Sequence, residues 1–122
     1  MSQSPAVAPS SQAVAVKALS SALGVRVSTK KAEKLGDKYV IVQRIGGSSS
    51  TFATANPRFL VQCYAPTELE AERFAELVAA TWRGLRTNGI IYAYDDHNIV
   101  PLSDPDTSHV RFQFTGGLSI QL

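Results

Sequence analysis

Residues 66–86 (PTELEAERFAELVAATWRGLR) constrain the fold of this chain more than any other stretch. Thr67 followed three residues later by Glu70 makes a capping box. Glu68, Glu70 and Glu72 stand where the helix dipole favours negative charge, and Arg83 and Arg86 lie at the opposite end. Ala71, Phe74, Val78, Trp82 and Leu85 recur at helical spacing as one apolar stripe, while Glu68, Glu72, Glu76 and Arg83 form the wet side. A helix of about 20 residues with one apolar stripe must bury it against a second layer, and the flanking sequence supplies a sheet.

Two segments before this helix read as strands. Residues 38–45 (KYVIVQRI) are β-branched and aromatic and end at Gly46-Gly47; residues 58–65 (RFLVQCYA) point Phe59, Val61 and Cys63 one way and Leu60, Gln62 and Tyr64 the other. Residues 46–56 (GGSSSTFATAN), with Phe52 the one bulky side chain, have the composition of a mobile connecting loop. Upstream, Ser10 or Ser11 caps a first helix whose apolar positions run from Ala13 to Leu23, and Gly24 suits its left-handed C-terminal turn. Residues 1–9 read as a flexible arm. Residues 29–38 are basic and polar and suit a turn or a short helix.

Downstream of the long helix, residues 90–94 form a short strand. Asp95-Asp96-His97-Asn98 is a turn, and residues 99–102 are extended because Pro101 disfavours helix at its predecessor. In the last run Val110, Phe112 and Phe114 alternate with Arg111, Gln113 and Thr115; the alternation resumes at Leu118 after Gly116-Gly117, which predicts a β-bulge in a long, central strand. The expected architecture is α+β: an antiparallel or mixed β-sheet with two helices packed on one face, in a single domain over residues 10–122.

Composition narrows the functional class. With 122 residues, 44% hydrophobic and 18% charged, the chain has the make-up of one globular domain. The lone Cys63 excludes an internal disulfide, and neither a signal peptide nor a stretch of ~20 apolar residues is visible. The net charge of +2 hides an asymmetry. Residues 1–65 carry eight Lys or Arg against Glu33 and Asp37 (+6), and residues 66–122 carry four Arg against eight acids (−4). Halves of opposite sign suit a self-assembling subunit, whose heterologous contacts need two different matching surfaces, unless folding interleaves them.

Catalytic signatures are nearly absent. No glycine-rich loop leads into Gly-Lys-Ser or Gly-Lys-Thr. Cys63 with His97 or His109 would be a nucleophile and base, but a cysteine alternating with Phe59 and Val61 reads as a core residue. Asp95, Asp96, His97, Asp104, Asp106 and His109 are the richest polar cluster, and their spacing matches neither an EF-hand nor a zinc site; Asp-Asp-His-Asn and Asp-Pro-Asp are ordinary turn chemistry. Lys30, Lys31, Lys34 and Lys38 would touch phosphates or form a solvated loop. Tyr92 and Tyr94, on one side of a short strand, are either interface anchors or sheet packing.

The ordered set of segments is more telling than any one of them. YVIVQRIGG (39–47), a polar loop, RFLVQCYA (58–65), the helix entered through Pro66-Thr67-Glu68, then PLSDPD (101–106) and RFQFT (111–115) together resemble the tail terminator proteins of long-tailed phages, particularly those infecting actinobacteria, over residues 10–122. Gly116-Gly117-Leu118 departs from that pattern, where an uninterrupted apolar strand is expected. The resemblance implies a non-enzymatic virion protein, assembled in the host cytoplasm. It would form a ring of six copies on the head-proximal end of the tail tube, stopping tube polymerisation and presenting the surface that joins tail to head. Its implied partners are other copies of itself, the tail tube protein and the neck connector. Genomic DNA passes through the lumen without sequence-specific binding, and no cofactor or membrane is involved. The expected contact between copies sets Lys30, Lys31, Lys34 and Arg58 against Glu68, Glu72, Glu76 or the Asp95-Asp96 turn. Arg44, Ser49 and Phe52 complete the expected interface, with the 46–56 loop toward the tube or the lumen. A head–tail connector is the neighbouring alternative, and a small nucleic-acid-binding domain is the alternative from another class.

Overall fold

The computed structural model describes residues 10–30, 36–51, 53–102 and 109–121. Two helices and six strands follow in the order α1 (Ser11–Leu23), β1 (Arg26–Ser28), β2 (Tyr39–Thr51), β3 (Thr54–Ala65), α2 (Glu68–Arg83), β4 (Ile90–Asp95), β5 (Val100–Leu102) and β6 (Val110–Gln121). The fold is α+β, as the sequence implies.

Both helices begin and end where their capping residues dictate. The Ser10 hydroxyl accepts the amide of Ala13 at 3.2 Å, and Gly24, at φ 70°, donates its N–H to the carbonyl of Ser20. Thr67 accepts the amide of Glu70 at 3.3 Å, and its own hydroxyl donates to the Glu70 carboxylate at 3.1 Å. Helix α2 is shorter than expected, 16 residues, because its last turn tightens. The amides of Gly84 and Leu85 reach back three residues, to Thr81 and Trp82. Leu85 is nevertheless buried with Ala71, Phe74, Val78 and Trp82, the whole anticipated stripe.

The strand order is β1-β2-β3-β6-β4, with β5 also paired to β6. Strand β6 is central: β3 lies on one side and β4 and β5 follow one another along the other. Only β1 runs parallel to its neighbour among the described strands, pairing Arg26 with Tyr39, which makes the sheet mixed. Both helices contribute to one core with the same sheet face. Ala15, Ala18 and Leu19 of α1 and Ala75, Val78 and Trp82 of α2 join Val40, Val42, Phe59, Val61, Cys63, Phe112, Phe114 and Leu118 there. The opposite face carries no helix among the described residues. It holds a small cluster of Tyr39, Ile41 and Tyr64, in which the tyrosines are cross-strand partners stacked at 4.5 Å.

Two local expectations change. Residues 46–51 and 54–56 extend the β2–β3 hairpin rather than forming a loop: Gly46 pairs with Arg58, Gly47 with Pro57, Ser48 with Asn56, Ser49 with Ala55 and Thr51 with Thr54. Ladder hydrogen bonds are made by backbone, so Ser, Thr and Gly can continue a strand whose other edge is already templated. Here β3 is held along Thr54 and Ala55 by Gln121 and Ile120 of β6. Gly47 earns its place in that ladder. At φ 98° it is left-handed, and a Cβ there would lie 2.6 Å from the Pro57 Cα.

Gly116-Gly117 is no bulge. The β3–β6 register runs unbroken through it, and the irregularities fall instead at Ile45, at Ser50 and, in β4, at Ile91. The glycines answer to side chains on either face of the sheet. A Cβ on Gly116 would meet the Trp82 indole at 2.6 Å, and one on Gly117 would run into the Tyr94 ring.

Candidate interaction surfaces

The chemistry-bearing side chains do not converge. Cys63 is wholly buried on the helix-covered face, whereas His109 packs edge-on against Tyr39 on the opposite face and His97 is exposed at the end of β4. Burial pushes the Cys63 thiol well above the usual thiol range, so it stays protonated at neutral pH. Cys63 is therefore expected to resist a thiol reagent such as DTNB until the chain opens globally, and to react stoichiometrically in denaturant. Rapid labelling of the folded protein would contradict that placement. No group of three His, Cys, Asp or Glu residues is arranged to hold a metal among the described residues, and Asp104 and Asp106 lie outside them.

Asp95 and Asp96 prove to be structural staples. The Asp95 side chain is fully enclosed. It accepts from Arg83 Nη1 at 3.0 Å through Oδ1 and from the His97 amide at 3.2 Å through Oδ2. That second bond helps hold His97 at a left-handed φ of 55°. Asp96 Oδ1 accepts the amides of Asn98 and, at 3.4 Å, of Thr115. A pocket of about 310 Å3 opens beside this turn, lined by Glu76, Arg83, Asp95, His97, Asn98 and Ile99. Its deepest charge is already matched by Arg83, so Asp95 is engaged within the subunit; Asp96 is exposed.

Arg44 is likewise committed at home. Its guanidinium donates to the carbonyls of Gly46 and Gly47 and to Ser11 Oγ, while its amide donates to Gln12 Oε1 at 2.9 Å. These bonds tie the start of α1 to the bulged part of β2. Lys30 and Arg58 are exposed, and Glu68, Glu72 and Glu76 stand free on α2. Lys31, Lys34 and Phe52 lie outside the described residues; Ser49 is placed by its backbone, opposite Ala55.

Folding leaves charges of both signs on the helix side: Glu68, Glu70, Glu72 and Glu76 of α2 are exposed there together with Arg73, and Lys17 of α1 is exposed as well. On the sheet face opposite the helices, where Tyr39, Ile41 and Tyr64 are buried, Arg26, Arg58 and Arg111 are the charged side chains at strand positions among the described residues. They alternate with inward-facing Val27, Phe59 and Phe112. Arg111 Nη1 donates to Tyr64 Oη at 3.3 Å. The exposed apolar groups fall on both sides. Leu69 and Leu77, 59% and 57% exposed, interrupt the wet side of α2; Ile91, Tyr92 and Tyr94 line the β4 edge. Tyr92 and Tyr94 stack at 6.1 Å, and the Arg86 guanidinium lies 5.4 Å from the Tyr92 ring. Leu69 and Leu77 carry no functional reading in the sequence, although two leucines among the glutamates of a wet helix side are a legible signal.

No family model and no curated protein matches this sequence. The backbone does have a counterpart among solved structures, a chain from the virion of a native gene transfer agent particle. That chain shares 13% sequence identity over 92% of this chain and 95% of its own, with a TM-score of 0.63. At that identity the likeness is one of fold. It spans nearly the whole of both chains.

Proposed function

We propose that this protein is a structural component of a phage-type virion, and that within the virion it is the tail terminator. The observation that carries the reading is the near end-to-end backbone likeness to a chain of a gene transfer agent virion. The residue chemistry agrees with it. The buried thiol and the two histidines lie apart, and the carboxylates of the β4 turn are spent on holding that turn. What the surface offers is contact area: a charged helix side rich in glutamate, an arginine-bearing sheet face and an aromatic edge. In this role six copies close into a ring on the head-proximal end of the tail tube, end its polymerisation and present the joining surface to the neck. Heterologous contacts around a ring need two dissimilar faces on each subunit, and this subunit has them.

The test is the length distribution of tails, by electron microscopy, from infections in which the gene is disabled. Overlong tubes without heads are expected, because nothing then caps the growing end. Tails of normal length that fail to join filled heads would make the protein a neck connector and end the terminator reading.

A further inference from the structure

We propose that Asn88 is a site of spontaneous deamidation, at which the backbone nitrogen of Gly89 closes on the Asn88 side chain and the turn leading from α2 into β4 gains a negative charge. The inference is independent of the assembly reading above.

The chain has three asparagines, and the residue after each decides whether its side-chain carbonyl carbon can be attacked. Pro57 follows Asn56 and has no amide proton to release. Ile99 follows Asn98, and its branched Cβ crowds the nitrogen beside it. Gly89 follows Asn88, and without a side chain it leaves the approach open.

The fold puts this pair on the surface. Thr87, Asn88 and Gly89 are all exposed. The Gly89 N–H has no hydrogen-bond partner among the described residues, and the Asn88 side chain donates only to Thr87 Oγ1, at 3.2 Å. Asn88 at φ 57° and Gly89 at φ 84° are the two left-handed positions of a tight turn, closed by the Ile90 amide on the Thr87 carbonyl at 3.0 Å. In a turn of this type the backbone carries the Gly89 nitrogen away from the Asn88 side chain, so ring closure proceeds from chains in which the turn has opened. The opening is local. Besides the closing bond, it breaks the bond from the Gln121 amide to the Gly89 carbonyl, 2.9 Å.

The chemistry needs water and nothing else. The Gly89 nitrogen attacks Asn88 Cγ; the N–Cγ bond forms, the Cγ–Nδ2 bond breaks, and Nδ2 leaves as ammonia with the proton that Gly89 gives up. Water then opens the cyclic imide at either carbonyl. Attack at Cγ returns an ordinary aspartate, and attack at the main-chain carbonyl leaves an isoaspartyl link that runs through Cβ. Either product sets a carboxylate two residues from Arg86, whose guanidinium lies 5.4 Å from the Tyr92 ring. The isoaspartyl product also lengthens the main chain between Thr87 and Ile90. That breaks the turn where β4 begins, at a side chain buried in the core.

The experiment ages the folded full chain at neutral pH in heavy-oxygen water and maps its peptides by mass spectrometry. Asn88 is expected to convert to a mixture of aspartyl and isoaspartyl forms carrying the heavy oxygen, with Asn56 and Asn98 unchanged, and ion exchange is expected to resolve a more acidic species. An Asn88 that stays intact in the folded chain but converts in urea overturns the proposal, because the turn then does not open. Conversion of Asn98 as fast as Asn88 overturns it too, since the following glycine would then confer nothing. The variant Asn88→Asp separates charge from backbone. It is expected to melt with the wild type, and the purified isoaspartyl chain below both; equal melting of the isoaspartyl chain and Asn88→Asp would overturn the account of the turn.

Discussion

Replacing Trp82 with alanine is expected to lower the free energy of unfolding by about 3–5 kcal/mol, which for a domain of this size moves the melting temperature down by roughly 10–20 °C. Trp82 is the largest fully buried side chain. It meets Phe59 at 5.6 Å and Phe114 at 6.4 Å, both edge-to-face, so it joins α2 to the two central strands. Its indole Nε1 also donates to the carbonyl of Tyr94 at 2.9 Å, which fixes the β4 edge to the helix. Truncation therefore removes apolar burial, leaves a cavity between layers and strands a partly buried acceptor. Trp82→Phe separates these contributions. The ring contacts largely persist and the hydrogen bond is lost, for an expected cost of about 1–2 kcal/mol. Urea denaturation of both variants checks the order; a Trp82→Phe variant as unstable as Trp82→Ala would place the weight on the hydrogen bond.

Gly116→Ala is the second large effect, an expected loss of about 2–3 kcal/mol from overpacking. Neither Gly116 nor Gly117 has a positive φ, so the cost comes from what the new methyl meets rather than from the backbone. At Gly116 it meets the indole of Trp82 at 2.6 Å, and that ring is locked by its burial and its hydrogen bond. At Gly117 it meets the far end of the Tyr94 ring, which is 41% exposed and free to swing toward solvent. Gly117→Ala is therefore expected to cost less than about 1 kcal/mol. Parallel denaturation curves decide the matter: equal losses at the two positions would mean that Tyr94 is as fixed as Trp82.

The contrast between these neighbouring glycines illustrates how far the sequence reaches. Read locally, Gly116-Gly117 in an alternating apolar run suggests a bulge, because glycine weakens a strand and permits irregular backbone. In the fold the pair holds regular ladder positions, and its purpose is to admit one aromatic ring on each face. The sheet's irregularities lie at Ile45, Ser50 and Ile91, where no local cue marks them.

The candidate surfaces divide in the same way. Glu68, Glu72 and Glu76 were legible as a wet helix side, because the period of an α-helix assigns each residue to a side without knowledge of its partners. Asp95 was not. An aspartate at a turn reads as solvent-facing, and only the packing of α2 across β4 brings the Arg83 guanidinium to enclose and neutralise it. Arg44 is a similar case: its engagement with Ser11 spans more than thirty residues of sequence.

What the sequence alone determined is whatever rests on contacts a few residues apart. That includes the Ser10 and Thr67 caps, the left-handed end at Gly24, the buried stripe of α2 and the alternation along β3 and β6. The tertiary structure decided the rest: the parallel pairing of β1 with β2, the extension of the β2–β3 hairpin through residues 46–51 and 54–56, and the gathering of Arg26, Arg58 and Arg111 on one face of the sheet. The physical reason is the range of the interactions. A cap or a stripe is set by bonds within one or two turns, whereas a strand edge, a ring-sized gap over glycine and the charge of a face exist only once distant segments lie side by side.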